Sequence, residues 1–117
     1  MMAPPFVWFD NMTPTRQDTT DFLQEMFGWQ PQDIGPMTFL TAEGADTPFA
    51  ATCDMLKDID GWVPYIEVDD LSAALARARR NGASVIAEDV RGPAGDASFI
   101  RDPGGSAMAL WKRADGV

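Results

Sequence analysis

Histidine is absent from this chain of 117 residues. Without imidazole there is no histidine general base, no histidine zinc ligand and no nucleophilic triad built around one. Proton transfer is left to Asp, Glu, Tyr and Cys, and metal binding to carboxylate oxygens, which suit hard cations such as Mg, Ca or Mn. Cysteine is nearly absent as well. Cys53 stands alone, so neither an intrachain disulfide nor a thiolate cluster can form. On a strand it reads as a small buried hydrophobe. Basic residues are scarce: Lys and Arg total 9 against 18 Asp and Glu, a net charge of -9. That balance argues against nucleic acid or an anionic membrane surface as partner, since both are held by clustered Lys and Arg. No apolar run approaches the roughly 18 residues of a membrane span, and the chain does not open on a basic and then apolar leader. The expectation is a cytoplasmic protein. With 45% hydrophobic residues, the chain can bury one core, so a single domain of residues 1–117 is expected.

What the chain does contain is an echo of itself. TFLTAEGA begins at Thr38 and SFIRDPGG at Ser98. Thr38, Phe39 and Leu40 meet Ser98, Phe99 and Ile100 in order, and Gly44 meets Gly104. Earlier in each half, Trp8, Phe9 and Asp10 fall on Tyr65, Ile66 and Glu67, giving aromatic, apolar and acid in both copies. Internal repeats decide a fold more firmly than any single motif.

The local patterns follow the same order twice. Phe6 to Asn11 reads as a strand, with prolines confined to its entry. In TPTRQDTTDFLQEMFGW, Phe22, Leu23, Met26 and Phe27 recur at helical spacing, with Asp18, Asp21, Gln24 and Glu25 on the other face. Thr15 is placed to cap that helix and Gly28 to end it. A polar link through Gln32 and Asp33 leads to the strands PMTFLTA and TPFAATCDM. The second half supplies a strand at Trp62 to Val68, a helix DLSAALARARRNG capped by Asp69 or Asp70, and strands SVIAEDV, DASFIRD and SAMALWK. The expected class is α+β, as two βαβββ modules at residues 5–58 and 59–113. Pro103 pre-sets the DPGG turn, and Gly104 and Gly105 can take the unusual dihedrals that follow.

Taken together in order and spacing, FVWFDNMTP with DFLQEMFGW, then WVPYIEVDDLSAALARARRNGASVIAEDV, then the DPGG turn and SAMALWKR resemble the vicinal oxygen chelate superfamily. This is the superfamily of glyoxalase I, the bleomycin-resistance proteins and the extradiol dioxygenases. The likeness runs over roughly residues 5 to 113. It implies a curved, half-open mixed sheet with helices outside, a site in the concave face, and a homodimer. In its catalytic members a divalent metal is held by His with Glu or Gln on the first and last strands of each module. Carried over by position, those ligands fall near Trp8 and Val63, and near Ala51 to Cys53 and Ala109. None is an imidazole or a carboxylate, so the resemblance also implies that the metal site is lost.

Three readings follow. In the first, the chain is a metal-free binder of a small organic molecule. Trp8, Trp62, Tyr65, Met108 and Trp111 then form the wall of an aromatic cup, since flat rings supply much contact area per ordered side chain. Arg101, beside the turn, is placed to meet an anionic group, although a salt bridge to Asp102 or Asp96 also accounts for it. In the second, Asp10 and Glu67 act as a carboxylate pair in isomerase or lyase chemistry, alone or by recruiting Mg or Mn through oxygen. In the third, the chain is a dimeric accessory module with no ligand. Strand alternation places Trp8 and Asp10 on one face of the first strand, with Phe9 beneath the helix, and Tyr65 and Glu67 likewise opposite Ile66.

Overall fold

The computed structural model describes residues 5–115. Among these residues, eight strands and two helices run in the order β1 (Phe6–Met12), α1 (Arg16–Phe27), β2 (Gln30–Ile34), β3 (Met37–Thr41), β4 (Ala50–Cys53), β5 (Gly61–Glu67), α2 (Leu71–Arg80), β6 (Ser84–Arg91), β7 (Gly95–Arg101) and β8 (Ala107–Arg113). The fold is α+β with mixed strand pairing, and the order βαβββ occurs twice. The chain divides into two compact units, one of residues 8–63 and the other running from residue 64 onward together with the start of β1.

In the first unit the strand order is β2-β3-β4-β1, antiparallel except for the parallel pairing of β1 with β4. Phe9 lies opposite Ala50, Asp10 opposite Ala51, and Ala51 opposite Phe39. Cross-strand partners share a face. One face therefore carries Phe9, Ala50 and Leu40, which pack with Leu23 of α1, Trp29 and Phe49. The other face carries Asp10, Ala51 and Phe39.

Three sequence expectations are corrected in this unit. The polar link through Gln32 and Asp33 is the strand β2, paired along its length with β3 and exposed throughout. It is an edge strand with water on both faces, so it needs no alternation of apolar residues, and its Pro31 is tolerated there. Of the apolar residues expected along one face of α1, only Leu23 is buried. Thr20 and Leu23 are buried, whereas Phe22, Met26 and Phe27 are 57%, 58% and 50% exposed. The Thr20 and Thr52 hydroxyls share a hydrogen bond of 2.7 Å, both side chains buried. That bond and the small Ala50 draw the Thr20–Leu23 stripe onto the sheet, leaving the Phe22–Met26 stripe outside. Nor does Thr15 cap α1 with its side chain. Thr13 Oγ1 accepts from the Thr15 amide at 3.1 Å and shares a 2.9 Å hydrogen bond with the Thr19 hydroxyl, so it organises the first turn from two positions before the cap. Gly28 ends the helix at φ 73, in the left-handed region that suits glycine.

In the second unit the order is β5-β8-β7-β6, again antiparallel except for the first-to-last pairing of β5 with β8. Asp70 caps α2 by accepting from the Ala73 amide at 2.9 Å. Leu75 of α2 packs with Ile100, Leu110, Val68, Val85 and Met108. Met108 thus belongs to the helix side, opposite the face expected to carry ligand: Ile100 is its partner on β7, while Tyr65 and Phe99 both lie opposite Ala109. In the turn from residue 102 to 106, Asp102 Oδ1 accepts from the Gly104 and Ser106 amides, each at 3.0 Å. Only Gly105 takes the left-handed conformation, at φ 95. Neither four-strand set closes on itself.

Candidate functional site

The echo that marked the repeat encodes two aromatic pairs. On the face of the first unit turned away from α1, the Trp8 and Phe39 rings meet edge to face with centroids 5.3 Å apart and planes at 63°. On the face of the second unit turned away from α2, Tyr65 and Phe99 do the same at 5.8 Å and 86°. Such T-shaped pairs are attractive beyond the area they bury, because a positive ring edge meets a negative ring face. The flanking members of the echo do matching work too. Leu40 and Ile100 enter the helix-side cores. Thr38 donates to Asp33 of β2 at 2.8 Å, and Ser98 Oγ accepts from the Asp89 amide of β6 at 3.2 Å. Sequence reasoning singled out Trp8 and Tyr65 but not Phe39 and Phe99, although the repeat itself was the signal.

The two carboxylates have different surroundings. Asp10 is 2% exposed and its Oδ1 accepts from Trp8 Nε1 at 2.7 Å. That bond satisfies the indole N–H and brings two of the expected site residues together. Nearby Cys53 is buried, which pushes its thiol up to about 12; the Asp10 and Asp54 carboxylates add to the rise and Arg16 opposes it. It is a neutral thiol across the physiological range, without the thiolate a nucleophile needs. Glu67 is exposed, and both of its oxygens are engaged by Arg113: Nε donates to Oε2 at 3.1 Å and Nη2 to Oε1 at 3.2 Å. Arg113 also lies over the Trp111 ring, 5.0 Å from its centroid. Glu67 and Trp111 are register partners on β5 and β8, so these three side chains form one cluster.

The remaining expected residues are dispersed. Trp62 is 45% exposed at the start of β5. Arg101 donates to the Gly105 carbonyl at 3.0 Å, so it braces the turn. Asp96, one of its expected partners, meets Arg91 at 3.7 Å.

The positions where the resemblance would place metal ligands hold an indole at Trp8, fully buried alkyl groups at Val63, Ala51 and Ala109, a hydroxyl at Thr52 and a protonated thiol at Cys53. This set offers a divalent cation no carboxylate or imidazole, and does not fit the superfamily's metal. Among the described residues no group of three or more Cys, Asp or Glu side chains is placed to hold an ion.

Residues 8–110 match the family model of the Glyoxalase/Bleomycin resistance protein/Dioxygenase superfamily. The chain belongs to that family. It is 32% identical over 119 residues to CFP32 of Mycobacterium tuberculosis and Mycobacterium bovis, a protein whose name proposes it as a glyoxylase; the match takes in 90% of this chain. The chain spans only 44% of the length of those curated relatives. Among solved structures, it resembles a member of the same superfamily from Vibrio splendidus, with a TM-score of 0.63, 14% identity, and 90% of this chain and 96% of that one covered. It also resembles an Mn(II)-bound glyoxalase from Novosphingobium aromaticivorans, with a TM-score of 0.59, 17% identity, and coverage of 92% of this chain and 38% of that one. At these identities the likeness establishes the shared fold. No helix among the described residues is long and apolar enough to cross a membrane.

Proposed function

We propose that this family member binds a small, planar organic molecule on its aromatic faces, as a cytoplasmic homodimer and without a tightly bound transition metal. The observation that carries the reading is the repeated aromatic pair: Trp8 with Phe39 in one unit and Tyr65 with Phe99 in the other, each on the side away from the helix. Rigid rings that are already ordered by one another can meet a flat ligand with little further loss of side-chain freedom. The metal-free part of the proposal rests on the chemistry of Trp8, Val63, Ala51 and Ala109, which cannot serve as ligands. The carboxylate-pair reading draws less support, because the oxygens of Glu67 already serve Arg113.

The test is a titration of intrinsic tryptophan fluorescence against a panel of planar antibiotics and aromatic metabolites, with elemental analysis of the same purified protein. A saturable change for at least one compound, with transition metal far below one ion per chain, is the expected result. No response up to millimolar ligand overturns the binding reading. Stoichiometric metal overturns the metal-free one.

A further inference from the structure

Trp111 is packed closely against β7 and also carries a cation. A Cβ at Gly95 of β7 would stand 2.7 Å from Trp111 Nε1, 2.8 Å from its Cε2 and 2.3 Å from the Lys112 carbonyl oxygen. No real side chain tolerates such contacts, so glycine is what lets the indole settle onto the backbone of β7. The Arg113 guanidinium lies over the ring, 5.0 Å from its centroid, and is anchored in turn by the two-point fork from Glu67. Ordinarily a surface arginine is among the more mobile side chains, and ordering it costs rotamer entropy. Here the fork and the stack have already imposed that order, although the side chains of Arg113 and Glu67 remain 46% and 36% exposed.

We propose that Arg113 is a ligand-recognition residue of the small-molecule site and Glu67 its positioning residue. The outer face of the guanidinium takes an electron-rich, neutral aromatic ring as the third layer of a stack built on Trp111. This assignment rests on the small-molecule reading and narrows it to a ligand class. A guanidinium is planar, weakly hydrated and cationic, so it attracts the negative face of an aromatic ring and repels a cationic one. The net charge of -9 would by itself favour cations. Local stacking and overall charge therefore call for opposite ligands.

The experiment uses the full chain and two probes of similar size, neutral 2-naphthol and cationic N-methylquinolinium. 2-Naphthol is expected to bind more tightly than N-methylquinolinium. Arg113→Lys, which keeps the charge and loses the plane, is expected to weaken 2-naphthol by about threefold to fivefold, the range of an exposed cation–π contact. Glu67→Gln is expected to weaken it in the same direction. A ligand-free readout separates positioning from general damage. Near-UV circular dichroism of the indole bands should change on Glu67→Gln in the wild-type background and stay unchanged when the same substitution is made in Trp111→Phe. Preference for the cationic probe, or equal 2-naphthol affinity in wild type and Arg113→Lys, overturns this assignment while leaving small-molecule binding intact. Binding of neither probe by the wild-type chain overturns the neutral-ring assignment, and failure of the wider ligand panel as well marks the failure of the binding reading.

Discussion

Asp10 and Glu67 occupy the same place in the two copies of the repeat, near the end of a first strand, yet one lies in a dry setting and the other in a wet one. The partner of Asp10 on the last strand is Ala51, fully buried, and its oxygen faces an indole N–H. The partner of Glu67 is Trp111, and the oxygens of Glu67 face an exposed guanidinium. Duplication preserved the backbone slot; the neighbouring side chain set the dielectric. One copy thereby gained a buried polar anchor and the other a solvent-facing stack.

The largest expected contrast concerns alkaline pH. The Cys53 thiol is raised from 9.0 to about 12 by burial first and by the neighbouring carboxylates second. The unfolded chain therefore releases this proton near pH 9 while the folded chain keeps it, and the folded state binds more protons between the two values. Stability is fully present below pH 9, falls as pH rises through the window, by up to about 1.4 kcal/mol per unit, and levels off above the folded value. Urea unfolding of wild type and Cys53→Ala from pH 8 to 11 is expected to show this slope in the difference between the two proteins. A flat difference would place Cys53 in contact with water.

A smaller contrast separates the carboxylates. Asp10→Ala strands a partly buried indole N–H and is expected to cost about 1–3 kcal/mol in equilibrium unfolding. Glu67→Ala removes an exposed pair and is expected to cost under about 1 kcal/mol. Equal costs would erase the distinction between dry and wet copies.

The smallest contrast is at the helix starts. Asp70→Ala removes a side-chain cap from α2 and is expected to cost about 1 kcal/mol. Thr15→Ala removes none from α1 and is expected to cost a few tenths, on the order of an ordinary surface substitution. Thermal melts of the two variants side by side measure this, and a larger loss for Thr15→Ala would mean that its hydroxyl holds the helix start after all.

Much of the fold could be read in advance because repetition is a property of residue order. The matches of Trp8, Phe9 and Asp10 with Tyr65, Ile66 and Glu67, and of Thr38, Phe39 and Leu40 with Ser98, Phe99 and Ile100, needed no coordinates. The edge strand β2 escaped notice because QPQDI has no apolar alternation to betray it: a strand wet on both faces leaves no periodic trace. α1 was misread for a related reason. Phe22 and Met26 are the more hydrophobic stripe, but Thr20 finds Thr52, and a satisfied hydroxyl pair beside Ala50 fits the sheet more closely than two large side chains. At the candidate site, the shared face of Trp8 and Asp10 was legible from strand alternation, while the contact of Arg113 with Glu67 was not, because it joins residues 46 positions apart in the chain.

Residue order alone established the duplicated βαβββ plan and the left-handed helix end at Gly28. These follow from identity and spacing, which need no neighbours. Tertiary structure alone decided which stripe of α1 is buried, which carboxylate is dry, that Met108 belongs to the helix side, and that Glu67 serves Arg113 on Trp111. Each of these is a choice among partners of similar chemistry, and such choices are settled by distance and shape once the chain has folded.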